Sequence, residues 1–129
     1  MYNYVQVRPE HLNHNGFLFG GILLKWVDEF AWLAASMDFP GFSFVTVSMD
    51  KSVFKRSVDN GTILRFDIKP DTLGRTSMSY NVLVENVKHG LDKKVTVFST
   101  NVKFVSVDKD GVPTPLPRQE VFKSSSDLI

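Results

Sequence analysis

Residues 22–37 constrain the fold of this chain most: twelve of the sixteen are apolar, interrupted only by Lys25, Asp28, Glu29 and Ser36. The segment is rich in Leu, Ala, Met and Trp and holds no proline. It is preceded by Gly20-Gly21 and stopped by Asp38-Phe39-Pro40-Gly41. That composition and punctuation predict one helix over residues 20–37. A helix lying on a surface shows a polar half, whereas this one is apolar almost all round and must be covered on most sides. It is too short and too charged to span a bilayer.

The rest of the chain reads as strands. Residues 2–7 form a short one, ended by Arg8-Pro9. Residues 43–52, 62–69, 75–87 and 94–107 alternate or cluster β-branched and aromatic side chains, as in Ile63, Arg65, Asp67 against Leu64, Phe66, Ile68. Turn residues separate them: Asn15-Gly16, Asp59-Asn60-Gly61, 70–74 from Pro70 to Gly74, His89-Gly90 and Asp108-Lys109-Asp110-Gly111. The last two strands are expected to be long, and long antiparallel strands twist and curl. One apolar helix and one curled sheet satisfy each other if the sheet wraps the helix. The expected class is α+β: a long central helix wrapped by a curled antiparallel sheet of about five strands, with a further surface covering what the sheet leaves open.

A length of 129 residues fits one domain, expected over residues 1–117, followed by a tail, 118–129; the stretch 112–129, with Pro113, Pro115 and Pro117 and then Ser124-Ser125-Ser126, is read as extended and then loosely ordered. Lys and Arg number 15 against 14 Asp and Glu, which argues against a broad basic face for nucleic acid or anionic lipid. There is no cysteine, so disulfides, thiolate metal sites and a cysteine nucleophile are excluded together. The first ten residues carry neither a basic start nor an apolar run. The expected location is the cytoplasm, with no membrane and no nucleic-acid partner.

Two features carry chemistry. Gly20 and Gly21 open the helix, where first-turn N–H groups lack intrahelical partners and sit at the positive end of the dipole, suited to an oxyanion. The same pair equally suits a tight loop-to-helix junction. Asp28 lies eight residues on, with Leu24 and Trp32 at i−4 and i+4. Either it is a partly desolvated carboxylate with work to do, or it joins Lys25 and Glu29 in a solvated stripe of charge pairs.

The motif Asn13-x-Asn15-Gly16-x-x-Phe19-Gly20-Gly21, seven residues before Asp28, resembles the active-site segment of hotdog-fold acyl-CoA thioesterases, in the subgroup of the YciA-type and brain-type acyl-CoA hydrolases. Val45-Thr46-Val47 resembles that family's first strand after the helix. Phe54 with Gly61 resembles its F-x-x-P-x-x-x-G-D turn, and Gly74-Arg75-Thr76-Ser77 its G-R-T-S signature. The likeness covers residues 8–117. The chain departs from the pattern at Ser57 and Thr62, where the family has Pro and Asp, so the turn and its contact to the nucleotide part of CoA are expected to be reshaped.

The resemblance implies a fatty acyl-CoA hydrolase without a cofactor. It implies Asp28 as general base or nucleophile, Asn13 holding the thioester or the water, and the Gly20 and Gly21 amides polarising the carbonyl. It also implies a homodimer with shared sites, assembling in some cases to a tetramer or hexamer. Geometry agrees, since Gly20 and Asp28 are about 12 Å apart along one helix axis, too far for one carbonyl to meet both. For Asn13 and Asn15, turn formation competes with function. Gly74, Arg75, Thr76 and Ser77, with the basic pair Lys55 and Arg56, are candidate CoA contacts, against the alternative of a strand start and a solvated turn.

His11 and His14 lack a third ligand, and Asp108-x-Asp110-Gly111 lacks the later acidic ligands of a calcium loop, so no metal site is expected. Phe39-Pro40-Gly41 is similar to a motif of hotdog dehydratases, but Asp38 stands beside it where those have a catalytic His. The competing reading is a non-catalytic acyl-CoA-binding module with a sensing or regulatory role.

Overall fold

The computed structural model describes residues 1–124. Its elements are β1 (Tyr2–Gln6), α1 (Gly20–Asp38), β2 (Ser43–Phe54), β3 (Ile63–Leu73), β4 (Ser77–Asn86), β5 (Val95–Val107) and a short β6 (Lys123–Ser124). One sheet runs β1-β3-β4-β5-β2, antiparallel throughout, and β6 joins β3 in parallel at Thr72 and Leu73. The helix lies against the inward face of this curled sheet, so the expected arrangement holds, with one two-residue strand more than the sequence suggested.

Alternation places Phe66 and Ile68 of β3, Met78, Tyr80, Val82 and Val84 of β4, and Phe98, Val102 and Phe104 of β5 in one buried cluster. The helix meets them with Leu23, Val27, Ala31, Ala34 and Ala35, a single stripe at i, i+4 and i+3 spacing. Small residues in its second half bring the helix close to the sheet. In the first half, Trp26 and Phe30 set their rings edge-on to Phe66, at 6.3 and 4.9 Å between centroids. Each large side chain so covered contributes about 1.5–3 kcal/mol of transfer free energy.

Two strands depart from the sequence reading. Pro70 was expected to end β3, yet the strand continues to Leu73. The Ile68 N–H points toward β1, where it donates to the Met1 carbonyl. Two residues on, position 70 faces the same edge, beyond the end of β1 and short of β6. A missing N–H there costs no ladder bond. β4 begins at Ser77 rather than Arg75, because the Gly74, Arg75 and Thr76 carbonyls accept bonds from outside the sheet's β3–β4 ladder.

The tail differs too. Through Ser124 it is docked rather than loosely ordered: Phe122 is buried between Phe39 and Tyr80, and the Gln119 side-chain amide donates to the Asp38 carbonyl at the helix end. Residues 125–129, including most of the serine run, lie outside the described residues. No helix among the described residues is long and apolar enough to cross a membrane.

Candidate active site

The loop before the helix is built by Asn13. Its Oδ1 accepts the backbone N–H groups of Asn15 (2.9 Å) and Phe17 (3.2 Å), and its own N–H donates to the Phe17 carbonyl at 2.7 Å. Gly16 takes φ +83° at the tip, which a left-handed turn requires of a residue without a Cβ. Asn15-Gly16 is thus a turn pair. Asn13 serves the turn through its oxygen, while its Nδ2 has no protein partner among the described residues. The loop is pinned on both sides, by Phe19 N–H to the His11 carbonyl (2.9 Å) and Leu18 N–H to the Val58 carbonyl (2.8 Å). The segment from Asp108 to Gly111 is a turn as well, as expected: Asp108 Oδ1 accepts the amides of Asp110 and Val112.

The helix then starts without a side-chain cap. The N–H groups of Ile22 and Leu23 fall back on the Phe19 carbonyl, at 3.0 and 3.2 Å. The amides of Gly20 and Gly21 take no protein acceptor among the described residues, and a carbonyl or carboxylate oxygen is the natural partner for such groups. Gly20 opens onto a cavity of about 330 Å³ lined by Leu18, Leu23, Phe54, Lys55, Arg56, Ser57 and Val58. The structure therefore joins the helix start to the basic pair, a link the sequence reading did not make.

Asp28 resolves its two readings differently from either. Lys25 and Glu29 do form the i,i+4 pair, at 4.0 Å and well exposed. Asp28 stands apart from that pair: Thr46 of β2 donates its hydroxyl to Asp28 Oδ1 at 2.6 Å. One carboxylate oxygen is thereby oriented, and Oδ2 accepts nothing among the described residues. Sequence reasoning quoted Thr46 only as part of a strand motif. Its signal was the alternation of Val45-Thr46-Val47, a hydroxyl between two valines, but only the fold places it opposite Asp28.

Around this hydrogen bond the surface is apolar and bare. Trp32, Leu33 and Met37 lie exposed on the helix, Trp32 at 46%, and Val45 and Val47 on β2, Val47 at 51%. Asp28, Glu29, Trp32 and Leu33 line a cavity of about 310 Å³. β2 is an edge strand, paired only with β5, so its other edge offers a row of unpaired backbone groups.

The remaining candidates sit at the far end of the sheet. Ser77 is paired with Val105 and Ser43 with Val107, whereas Phe54 is paired with Phe98. The Gly74-Arg75-Thr76-Ser77 turn and the Lys55-Arg56 pair are therefore roughly 25 Å apart along the strands. Within one chain they do not form one site, and neither does the Gly20 and Asp28 pair.

The family profile described as Thioesterase superfamily matches residues 15–93. Among curated relatives is a mouse acetyl-coenzyme A thioesterase, 38% identical over 99 residues, covering 74% of this chain. The match spans only 18% of that relative's own length. Among solved structures, a hexameric hotdog fold thioesterase of Campylobacter jejuni is 34% identical with a TM-score of 0.78, covering 89% of this chain and 88% of that one. An acyl-CoA hydrolase of Staphylococcus aureus, solved with butyryl coenzyme A and coenzyme A, is 28% identical with a TM-score of 0.80, covering 98% and 75%.

Proposed function

From the premise that this chain belongs to the Thioesterase superfamily and carries the hotdog fold, we propose that it is an acyl-CoA thioester hydrolase, releasing fatty acid and CoA. The observation that carries this reading is the Asp28 carboxylate, oriented by Thr46 and set in an exposed apolar surface. A thioester is an activated acyl compound, so a positioned carboxylate suffices without a cofactor. Acting as base, Asp28 Oδ2 takes a proton from water while the water oxygen bonds to the acyl carbon. The C–S bond then breaks and the sulfur leaves with a proton. Acting as nucleophile, the same oxygen attacks the acyl carbon, the C–S bond breaks and the sulfur leaves with a proton from solvent, and water then hydrolyses the anhydride to free the fatty acid and restore the carboxylate. In both routes the carbonyl oxygen gathers negative charge, and the Gly20 and Gly21 amides with Asn13 Nδ2 are the donors suited to it.

These donors and Asp28 come together when two copies pair. A two-fold axis beside β2 runs the two helices antiparallel, covers Trp32, Leu33, Val45 and Val47, and sets one chain's Asp28 near the partner's helix start. The same axis brings the Arg75 turn of one chain to the Lys55-Arg56 end of the other, giving the CoA phosphates cations from both. The C. jejuni relative is described as hexameric, which accords with a dimer that assembles further. We place the reaction in the cytoplasm, on the cysteine-free composition.

The test is thiol release from a panel of acyl-CoA chain lengths by wild-type and Asp28→Asn protein. Turnover by the wild type and its loss by at least about a hundredfold in Asp28→Asn is expected. Tight acyl-CoA binding without thiol release at any chain length would instead support the binding-module reading.

A further inference from the structure

The turn between β3 and β4 is held in an unusual way. Its three successive carbonyls all accept hydrogen bonds from residues later in the chain: Gly74 O from Arg118 Nη2, Arg75 O from the Leu116 N–H at 2.8 Å, and Thr76 O from the Ser106 N–H at 2.8 Å. Gly74 N–H closes the turn onto the Ser77 carbonyl at 2.6 Å. The N–H groups of Arg75 and Thr76 have no protein acceptor among the described residues, and the Arg75 side chain is exposed. With its acceptors tied and its donors free, the turn presents N–H groups and a guanidinium to solvent, the chemistry of an anion site.

Two of the three ties are backbone groups that any residue would supply. Arg118 is the exception. Its Nη2 bonds both the Gly74 and the Leu116 carbonyls, so one guanidinium spans the turn and the strap that holds it. The next residue, Gln119, fixes that strap to the carbonyl of Asp38 at the helix end, and Phe122 plugs it into the core. We propose that Arg118 is a positioning residue for the nucleotide end of CoA: by bridging the Gly74 and Leu116 carbonyls it keeps the free amides and guanidinium of the 74–77 turn aimed at a phosphate. This inference rests on the hydrolase reading above. It adds that the C-terminal strap, which does not touch the reacting atoms, decides how tightly the phosphorylated part of the substrate is held.

The prediction separates two substrates with the same acyl group, an acyl-CoA and the corresponding S-acyl-pantetheine, which lacks the nucleotide and its phosphates. In Arg118→Ala, KM for the acyl-CoA rises about tenfold while kcat stays within about twofold, and KM for the S-acyl-pantetheine is unchanged. Arg118→Lys, with a cation but no fork, falls between. If Arg118→Ala does not fold, Arg118→Lys carries the same comparison. Equal rises in KM for both substrates would mark Arg118 as merely structural and overturn the inference. So would no rise in either, while wild-type turnover left the hydrolase reading standing. A wild type that releases no thiol from either substrate overturns the hydrolase reading and this inference with it.

Discussion

The two long stripes of the helix have opposite fates. One stripe, Leu23, Val27, Ala31, Ala34 and Ala35, is buried against the sheet and holds the fold together. The other begins with the exposed pair Lys25 and Glu29 and continues through Trp32, Leu33 and Met37, which nothing among the described residues covers. Between them Asp28 turns toward Thr46. The first stripe is spent on stability. The second is apolar surface of the kind that marks an interaction site, and the carboxylate that Thr46 orients borders it.

The largest contrast comes from placing the same charge on each stripe. Val27→Asp buries an unpaired carboxylate at a position with no exposure, and this variant is expected not to fold, as circular dichroism will show. Leu33→Asp, on the bare stripe, is expected to keep the native spectrum and melting temperature of the isolated chain but to sediment as a monomer, since the proposed two-fold axis would repeat the charge. An assembled Leu33→Asp protein would break the comparison. Next in size is the outward face of the sheet, where Arg65 and Glu85 pair at 3.0 Å with side chains 13% and 5% exposed, and Arg65 stacks over Tyr2. Glu85→Ala leaves the Arg65 guanidinium without its partner and is expected to lower the denaturant midpoint without changing KM.

Smaller effects sharpen the picture at the site itself. Thr46→Ala frees Asp28 to rotate; kcat should fall roughly tenfold with the fold intact, a loss much smaller than that of Asp28→Asn. At the far end of the helix, burial raises the Tyr80 phenol well above its ordinary pKa, and Asp38, accepting its hydrogen bond at 2.7 Å, adds to the shift. The folded state therefore holds this proton more tightly than the unfolded chain. The contribution is full below the unfolded value near 10 and is lost as pH rises above it. Tyr80→Phe should flatten the alkaline limb of stability against pH, measured by denaturant midpoints between about pH 9 and 11.

Much of this was legible in the residues. The helix extends over Gly20–Asp38, one residue beyond the expected end, because composition and the flanking Gly and Pro are local signals. Alternation located the first five strands for the same reason. What escaped depended on neighbours. Whether Pro70 ends a strand turns on which edge its nitrogen faces, and that is set by how far β1 reaches. Whether the tail is loose turns on a gap between Phe39 and Tyr80 that only packing creates. Thr46 is eighteen residues from Asp28, and no periodicity connects a helix position to a strand position across a loop. Lys55-Arg56 and the 74–77 turn both suggested phosphate contacts, but their separation along the strands is a fact of register.

That separation, and the one between Gly20 and Asp28, make a shared site the central claim. Mixing subunits tests it most directly. Asp28→Asn and Asn13→Ala proteins, each nearly inactive alone, are unfolded and refolded together. In a mixed dimer one site receives Asp28 from one chain and Asn13 from the other, both native, so the mixture should recover about a quarter of wild-type thiol release. A mixture no more active than the average of the two separate variants would contradict the account and place each site within a single chain.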